Sequence, residues 1–216
     1  MDVPSFVELF GRERASAILR CNDADVARHA LDAAVAGGFR VVEVTLTTPR
    51  ALELIADVSS RPGVVAGAGT VLTVAEAEAA VAHGARFLVS PVTDEVIIRR
   101  ATELGVASIP GGHTPTELLA AHRAGAPLVK LFPAPAGGPA WLRSLLAPLP
   151  FLKVVPTNGV DIDNAADWLA AGAWALGFVA SLFNADDLRL GRFDRIEERA
   201  RQILDRVRGP GVPVGV

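Results

Sequence analysis

One unit recurs along this chain: a short apolar run, a turn, and a capped helical stretch. The apolar runs fall at 15–20, 40–45, 64–70, 86–90, 106–109, 127–133, 152–155 and 173–177. Runs of that length rich in Val, Ile, Leu and Phe and bounded by turn residues read as buried strands. The stretches between them carry helix start and stop signals. Asp23 caps a helix that stops at Gly37-Gly38; Thr48 with Pro49 behind it opens a helix over 50–59; Thr73 caps another. Thr93-Asp-Glu opens a helix that closes at Gly105, and Thr114-Pro-Thr-Glu117 is a capping box. Helices are also predicted over 140–147, 161–171 and 193–208, with a short amphipathic helix over 3–13 ahead of the first strand. Strands separated by helices need parallel crossovers, so the pattern predicts eight βα units of an α/β protein. Eight units closing on themselves make a (β/α)₈ TIM barrel; an open doubly wound sheet is the alternative. Gly67-Ala-Gly69 does not favour the latter as a dinucleotide site, since the third glycine of that fingerprint is missing. Residues 1–208 read as one domain and 209–216, rich in Gly, Pro and Val, as a frayed tail.

The chain's 216 residues fit a single barrel of this kind. Half the residues are apolar, 21% are charged and the formal net charge is −3, an ordinary globular balance. No basic run points to nucleic acid, and apolar stretches fall short of the roughly 18 residues that read as a membrane span. The N-terminus lacks the basic start and apolar core of a signal peptide. Cys21 is the lone cysteine, which rules out an intrachain disulfide and a Cys-rich metal site. A cytoplasmic enzyme with small-molecule substrates, and no nucleic-acid or membrane partner, is the expectation.

Within that frame one residue stands out. Pro127-Leu-Val-Lys-Leu-Phe-Pro133 places Lys130 at the centre of an apolar strand. A buried ammonium is costly unless it is paired, neutralised or put to chemical use. Lys130 and Lys153 are the only lysines, every other fixed cation being arginine. Lysine, unlike arginine, can lose its proton when desolvated and attack a carbonyl to form a Schiff base. The competing reading is a lysine snorkelling from a strand end. Lys153 lies at the start of its own strand and is the weaker nucleophile.

Active sites of such barrels sit at the C-terminal strand ends, where Arg20, Glu43, Thr45, Thr70, Ser90, Lys130 and Thr157 fall. Glu43 sits inside Val-Val-Glu-Val-Thr and shares side-chain parity with Val41 and Thr45. Burial raises a carboxyl's pKa and suits it to general acid–base work; a structural ion pair is the other reading. Arg20 suits a carboxylate ligand held by two parallel bonds, or is a surface arginine.

At these residues the chain resembles the 2-keto-3-deoxy-6-phosphogluconate / 4-hydroxy-2-oxoglutarate aldolase family of class I pyruvate aldolases. The resemblance is densest at Ala17-Ile-Leu-Arg20, Val42-Glu-Val-Thr-Leu46, Gly67-Ala-Gly-Thr-Val-Leu72, Ser90-Pro91, Ile109-Pro-Gly111, Thr114-Pro-Thr-Glu117, Val129-Lys-Leu-Phe-Pro133 and Pro156-Thr157. It implies a trimeric barrel needing no metal and no cofactor beyond a covalent lysine–pyruvate Schiff base. It implies pyruvate and an aldehyde as substrates, in a lyase of carbohydrate metabolism. By the same resemblance Lys130 is the Schiff-base lysine and Glu43 the general acid/base. Thr70 and Pro91 line the pyruvate pocket, Phe132 neighbours the lysine and Thr157 lies beside the aldehyde hydroxyls.

The chain also departs from its relatives. Thr47 stands where many carry the carboxylate-binding arginine, whereas Arg20 matches the arginine of the galactonate-type members, so the carboxylate role passes to Arg20. Asn158-Gly159 replaces a Gly-Gly pair at the phosphate end, and Phe178-Val-Ala-Ser181 replaces a Gly-Ser pair. Bulky Phe178 and Val179 are expected to crowd that cradle, with Phe178 as an apolar wall, so an unphosphorylated acceptor is expected to compete. His113 occupies a place that is usually small or apolar; it reads as an acceptor contact or as a surface residue of a capping loop. The rival functions are a phosphosugar isomerase or epimerase and a non-catalytic binding barrel.

Overall fold

In a computed structural model of the chain, residues 1–209 are described; the tail expected to fray lies, after Gly209, outside them. Helix α1 (Val3–Glu13) precedes a run of strands and helices: β1 (Ala15–Leu19), α2 (Ala24–Ala36), β2 (Val41–Thr45), α3 (Ala51–Ser59), β3 (Val65–Gly69), α4 (Val74–Ala82), β4 (Phe87–Val89) and α5 (Glu95–Glu103). There follow β5 (Ala107–Ile109), β6 (Gly111–Gly112), α6 (Pro115–Arg123), β7 (Val129–Leu131), α7 (Gly138–Leu146), β8 (Val154–Pro156), α8 (Ala165–Ala170), β9 (Leu176–Phe178), α9 (Ala185–Arg189) and α10 (Phe193–Arg208). All pairings are parallel, in one sheet ordered β5-β4-β3-β2-β1-β9 and another ordered β6-β7-β8. Pro110 separates β5 from β6, so a single stretch of chain pairs with β4 on one side and β7 on the other. A parallel bridge from Thr157 to Gly177 links the far edges.

β1, β2 and β3 are buried along their whole length, as parallel strands covered on both faces must be. The pleat sorts their side chains. Val42, Val44, Val129, Leu131 and Val154 pack in the large cluster that the helices share. Val41, Val65, Phe87, Val89, Ile109 and Val155 pack in a second cluster on the opposite face, with Phe6, Val7 and Phe10 of α1. Phe6 stacks on Phe87 with ring centroids 4.8 Å apart. Glu43, between Val42 and Val44, and Lys130, between Val129 and Leu131, therefore both turn away from the helices of the large cluster and toward the face that α1 packs on.

The helix signals hold at Asp23, Thr73 and Thr114, the last two as complete capping boxes. They fail at Thr48. Helix α3 starts after Arg50, in a left-handed conformation, while the Thr48 hydroxyl is buried against Thr45 (3.2 Å) and accepts the Cys21 N–H (3.3 Å). Thr48 thus joins the ends of β1 and β2 instead of capping. Within the Thr93-Asp-Glu start, Asp94 caps α5, and the Thr93 hydroxyl donates to the Gly111 carbonyl at 3.0 Å. The helix expected at 161–171 is shortened because Asp161 and Asn164 bond each other's backbone N–H groups before it starts. The last strand lies at Leu176–Phe178 and not at 173–177, with the Trp174 N–H bonded to the Val154 carbonyl ahead of it. Helix α9, capped by Asn184, has no counterpart in the sequence expectation.

Gly67 faces Phe87 across the β3–β4 pairing, and a Cβ there would lie 2.4 Å from the ring. Gly67→Ala should therefore destabilise the fold by about 1–3 kcal/mol through overpacking. Chemical denaturation should show a lower midpoint at unchanged slope; an unmoved midpoint would mean that Phe87 has room to shift.

Candidate active site

Lys130 is 7% exposed and Glu43 2%. Both line one small chamber, of about 10 Å³, whose walls also include Ser16, Ile18, Val89, Ile109, Val155 and Thr157. A chamber that small is near the size of a single water. Burial pushes the Lys130 ammonium below the usual lysine range, which the nearby Glu43 carboxylate opposes and the Arg20 cation reinforces. Burial likewise pushes the Glu43 carboxyl upward, opposed by Lys130 and then Arg20. The Lys130 Nζ also lies 4.7 Å from the centroid of the half-buried Phe132 ring. Close packing fixes the carboxylate as well, since a Cβ on Gly69 would fall 1.9 Å from Glu43 Oε1.

Arg20 follows β1 and donates to Thr70 Oγ1 at 3.2 Å. Thr70 follows β3 with φ 60°, a left-handed conformation rare for a β-branched residue. Pro91 follows β4, and its carbonyl packs so tightly on β6 that a Cβ at Gly111 would approach it to 2.4 Å. Thr157 is buried in the chamber wall, and Asn158 (φ 62°) and Gly159 (φ 104°) form an exposed left-handed turn beyond it. Of the predicted residues, Arg20, Thr70, Pro91, Phe132, Thr157, Asn158 and Gly159 thus follow the C-terminal ends of their strands, while Glu43 and Lys130 lie within theirs. Lys153 is excluded from the chamber, its Nζ lying 5.0 Å from the Trp174 ring centroid. Arg50, at the mouth of the β2–α3 turn, is ion-paired with Glu53.

The acceptor end differs from expectation. Phe178 does not crowd it: the side chain is fully buried in the helix-side cluster, edge-on to Phe39 at 6.3 Å. Since Leu176 and Phe178 share that face, Gly177 is the residue of β9 turned toward Thr157. Val179 follows as the start of a turn in which Leu182 and Phe183 N–H bond its carbonyl. Asn158 adopts the left-handed backbone that a glycine would, so the turn survives the substitution. Sequence reasoning missed Ser16, which shares the chamber with Lys130 and Glu43. Its signal was available: a lone hydroxyl with the parity of Ile18 in an apolar run.

A desolvated amine beside a desolvated carboxyl is an arrangement chemically suited to amine attack on a carbonyl, with a group able to carry protons at hand. Known proteins agree. The model of the KDPG and KHG aldolase family matches residues 9–199. A probable 2-dehydro-3-deoxy-6-phosphogalactonate aldolase of Rhizobium meliloti is 37% identical over 181 residues, 80% of this chain and 85% of its own. The KHG/KDPG aldolase of Escherichia coli K12 is 36% identical over 182 residues, 80% and 82% of the two chains. A crystal structure of the KDPG aldolase of Legionella pneumophila, with pyruvate captured as a covalent carbinolamine, superposes with a TM-score of 0.82 at 27% identity over 90% of this chain and 96% of that one. The chain belongs to the KDPG and KHG aldolase family of class I pyruvate aldolases and is an aldehyde-lyase. The isomerase, epimerase and non-catalytic readings fall away. Among the described residues no cluster of three or more metal-ligating side chains occurs, and no helix is long and apolar enough to cross a membrane.

Of the groups acting on Lys130, Glu43 is the one that raises its pKa. Glu43→Gln should thus lower the lysine pKa further, and the pH at which pyruvate-dependent borohydride trapping sets in should move down. Turnover should fall by roughly 10²–10⁴, the usual worth of general acid–base catalysis. A trapping profile that moves up in pH, or turnover near that of the parent enzyme, would contradict this.

Proposed function

We propose that Lys130 is the Schiff-base lysine and Glu43 the proton carrier of this aldolase, with Arg20, Thr70 and Pro91 holding pyruvate. The observation carrying this reading is the common chamber in which Lys130 and Glu43 meet. In cleavage, the neutral Lys130 amine adds to the C2 ketone of a 2-keto-3-deoxy acid. Loss of water from the carbinolamine gives an iminium. The C4 hydroxyl gives up its proton, the C3–C4 bond breaks, the aldehyde leaves, and the electron pair passes to the iminium as an enamine. Glu43 takes and returns these protons, ending with one delivered to C3; hydrolysis then frees pyruvate and Lys130. No further cofactor enters the scheme. The Arg20 guanidinium, tied to Thr70, presents a planar fork to the pyruvate carboxylate. Phe132 covers the lysine, Thr157 meets the aldehyde, and the turn at Asn158 and Gly159 offers backbone N–H groups beyond it. A phosphate on the aldehyde would rest on that backbone turn, and an unphosphorylated hydroxyaldehyde needs less of it.

We further infer that the two sheets are parts of one closed (β/α)₈ barrel within a single domain over 1–208. This is supported by the shared β5–β6 stretch and the Thr157–Gly177 bridge. A homotrimer is supported by the exposed Leu72, Val92 and Val96 after β3 and β4, an apolar rim suited to a neighbouring copy. The composition and the small-molecule substrates suit the cytoplasm.

Two experiments test this. Borohydride reduction with pyruvate should add one carboxyethyl group to the peptide holding Lys130. Label on the Lys153 peptide, or label surviving Lys130→Ala, would overturn the assignment. Arg20→Lys replaces a fork by a point charge, and KM for pyruvate in the synthetic direction should rise more than kcat falls. An unaltered KM would move the carboxylate elsewhere.

A further inference from the structure

His113 is exposed, two residues beyond the Gly111–Lys130 register pair, where the β6 chain leaves the sheet. Its ring is not loose. Nδ1 lies 2.9 Å from the Pro133 carbonyl oxygen, and its backbone N–H donates to Glu117 Oε2 at 2.9 Å. The same carboxylate receives the Thr114 N–H, so the residue is clamped at the mouth of α6. A carbonyl oxygen can only accept, so Nδ1 must carry a proton, and in the neutral imidazole Nε2 is then an acceptor. Its neighbours place the residue in the fold. Pro133 follows Phe132, whose ring faces the Lys130 Nζ. Ala134 N–H bonds the carbonyls of Thr157 and Asn158. On the other side, Thr93 bonds the Gly111 carbonyl, and Gly111 packs on Pro91. His113 therefore stands between the loop of Pro91 and the segment 132–134, over the strand next to the lysine.

We infer that His113 is a specificity-determining residue, whose Nε2 accepts a hydrogen bond from a hydroxyl of the aldehyde held over Lys130. The inference rests on the proposed Lys130 chemistry and deepens it: it selects aldehydes hydroxylated next to the carbonyl over their deoxy analogues. A fixed tautomer makes the choice directional, since Nε2 favours a donor and gains nothing from a methylene. The clamp also keeps the imidazole from turning away, which an unanchored surface histidine would be free to do.

Asparagine separates the two roles of the ring. In His113→Asn the side-chain amide N–H can still donate to Pro133, as Nδ1 does, but nothing replaces Nε2. In His113→Gln the longer amide reaches toward the Nε2 position. The test measures kcat/KM for addition of pyruvate to D-glyceraldehyde and to 3-hydroxypropanal, which differ by the 2-hydroxyl. The parent enzyme should prefer glyceraldehyde. His113→Asn should lose about fivefold of that preference, the scale of one lost hydrogen bond, and His113→Gln should recover part of it. Equal losses on both aldehydes, or an undiminished preference in His113→Asn, would overturn the inference and leave His113 as a loop clamp. Exchange of the pyruvate methyl protons with solvent by the parent enzyme is the control. If exchange is absent, the Lys130 reading itself fails; if it proceeds while the preference is unmoved, only the role of His113 falls.

Discussion

The site depends on one unfavourable act, the removal of an ammonium group from water at the centre of β7. Three influences on that group are distinguishable. Desolvation favours the neutral amine, the Glu43 carboxylate favours the cation, and the Arg20 cation favours the neutral amine again. The same set acts on Glu43 with a different balance, since burial favours the neutral acid whereas Lys130 and Arg20 both favour the carboxylate. Arg20 is thus the group that biases the pair toward neutral lysine and ionised glutamate, the combination a nucleophile with an adjacent base requires. Arg20 is not among the residues that wall the chamber, so it acts on the pair as a nearby charge.

The sheet architecture is what makes the pairing possible. In parallel strands covered on both faces, the period of two is the only device that sorts side chains. Val42 and Val44 hold Glu43 on the face away from the helices, and Val129 and Leu131 do the same for Lys130. A slip of one residue in either strand would send the charged group among the helices, with no partner. The apolar flanks of each charged residue are therefore also what specify its direction.

Much of this was legible in the sequence because it rests on local rules. The strand–helix alternation, the capping boxes at Thr73 and Thr114, the lysine in an apolar run and the parity of Glu43 need only neighbours along the chain. What could not be read depends on contacts between distant segments. Thr48 looks like an N-cap, but it meets Cys21 and Thr45 across the β1–β2 edge. Phe178 looks like a loop residue at the acceptor end, but the strand begins three residues later than the apolar run, which reverses its face. Ser16 gains meaning only in space, because one hydroxyl in an apolar run is weak evidence until Glu43 and Lys130 are placed beside it.

Backbone strain at the rim follows from the same arrangement. Among the described residues, four non-glycine residues have left-handed backbones, and two of them, Thr70 and Asn158, lie at the candidate site. Asparagine tolerates that region, while a β-branched threonine does so at a cost of order 1–3 kcal/mol. A helix or a simple turn after β3 would avoid the cost. Thr70 instead turns its hydroxyl to Arg20, and the chain proceeds to Val71, whose N–H and carbonyl are both bonded to β4 and Ser90. The strained residue is held from both sides by bonds it does not itself supply. Arg20 gains from this a fixed neighbour at the end of another strand. Under the carboxylate role proposed for Arg20, pre-organisation of that kind would lower the entropy lost on binding, with the stability of the surrounding sheet sustaining it.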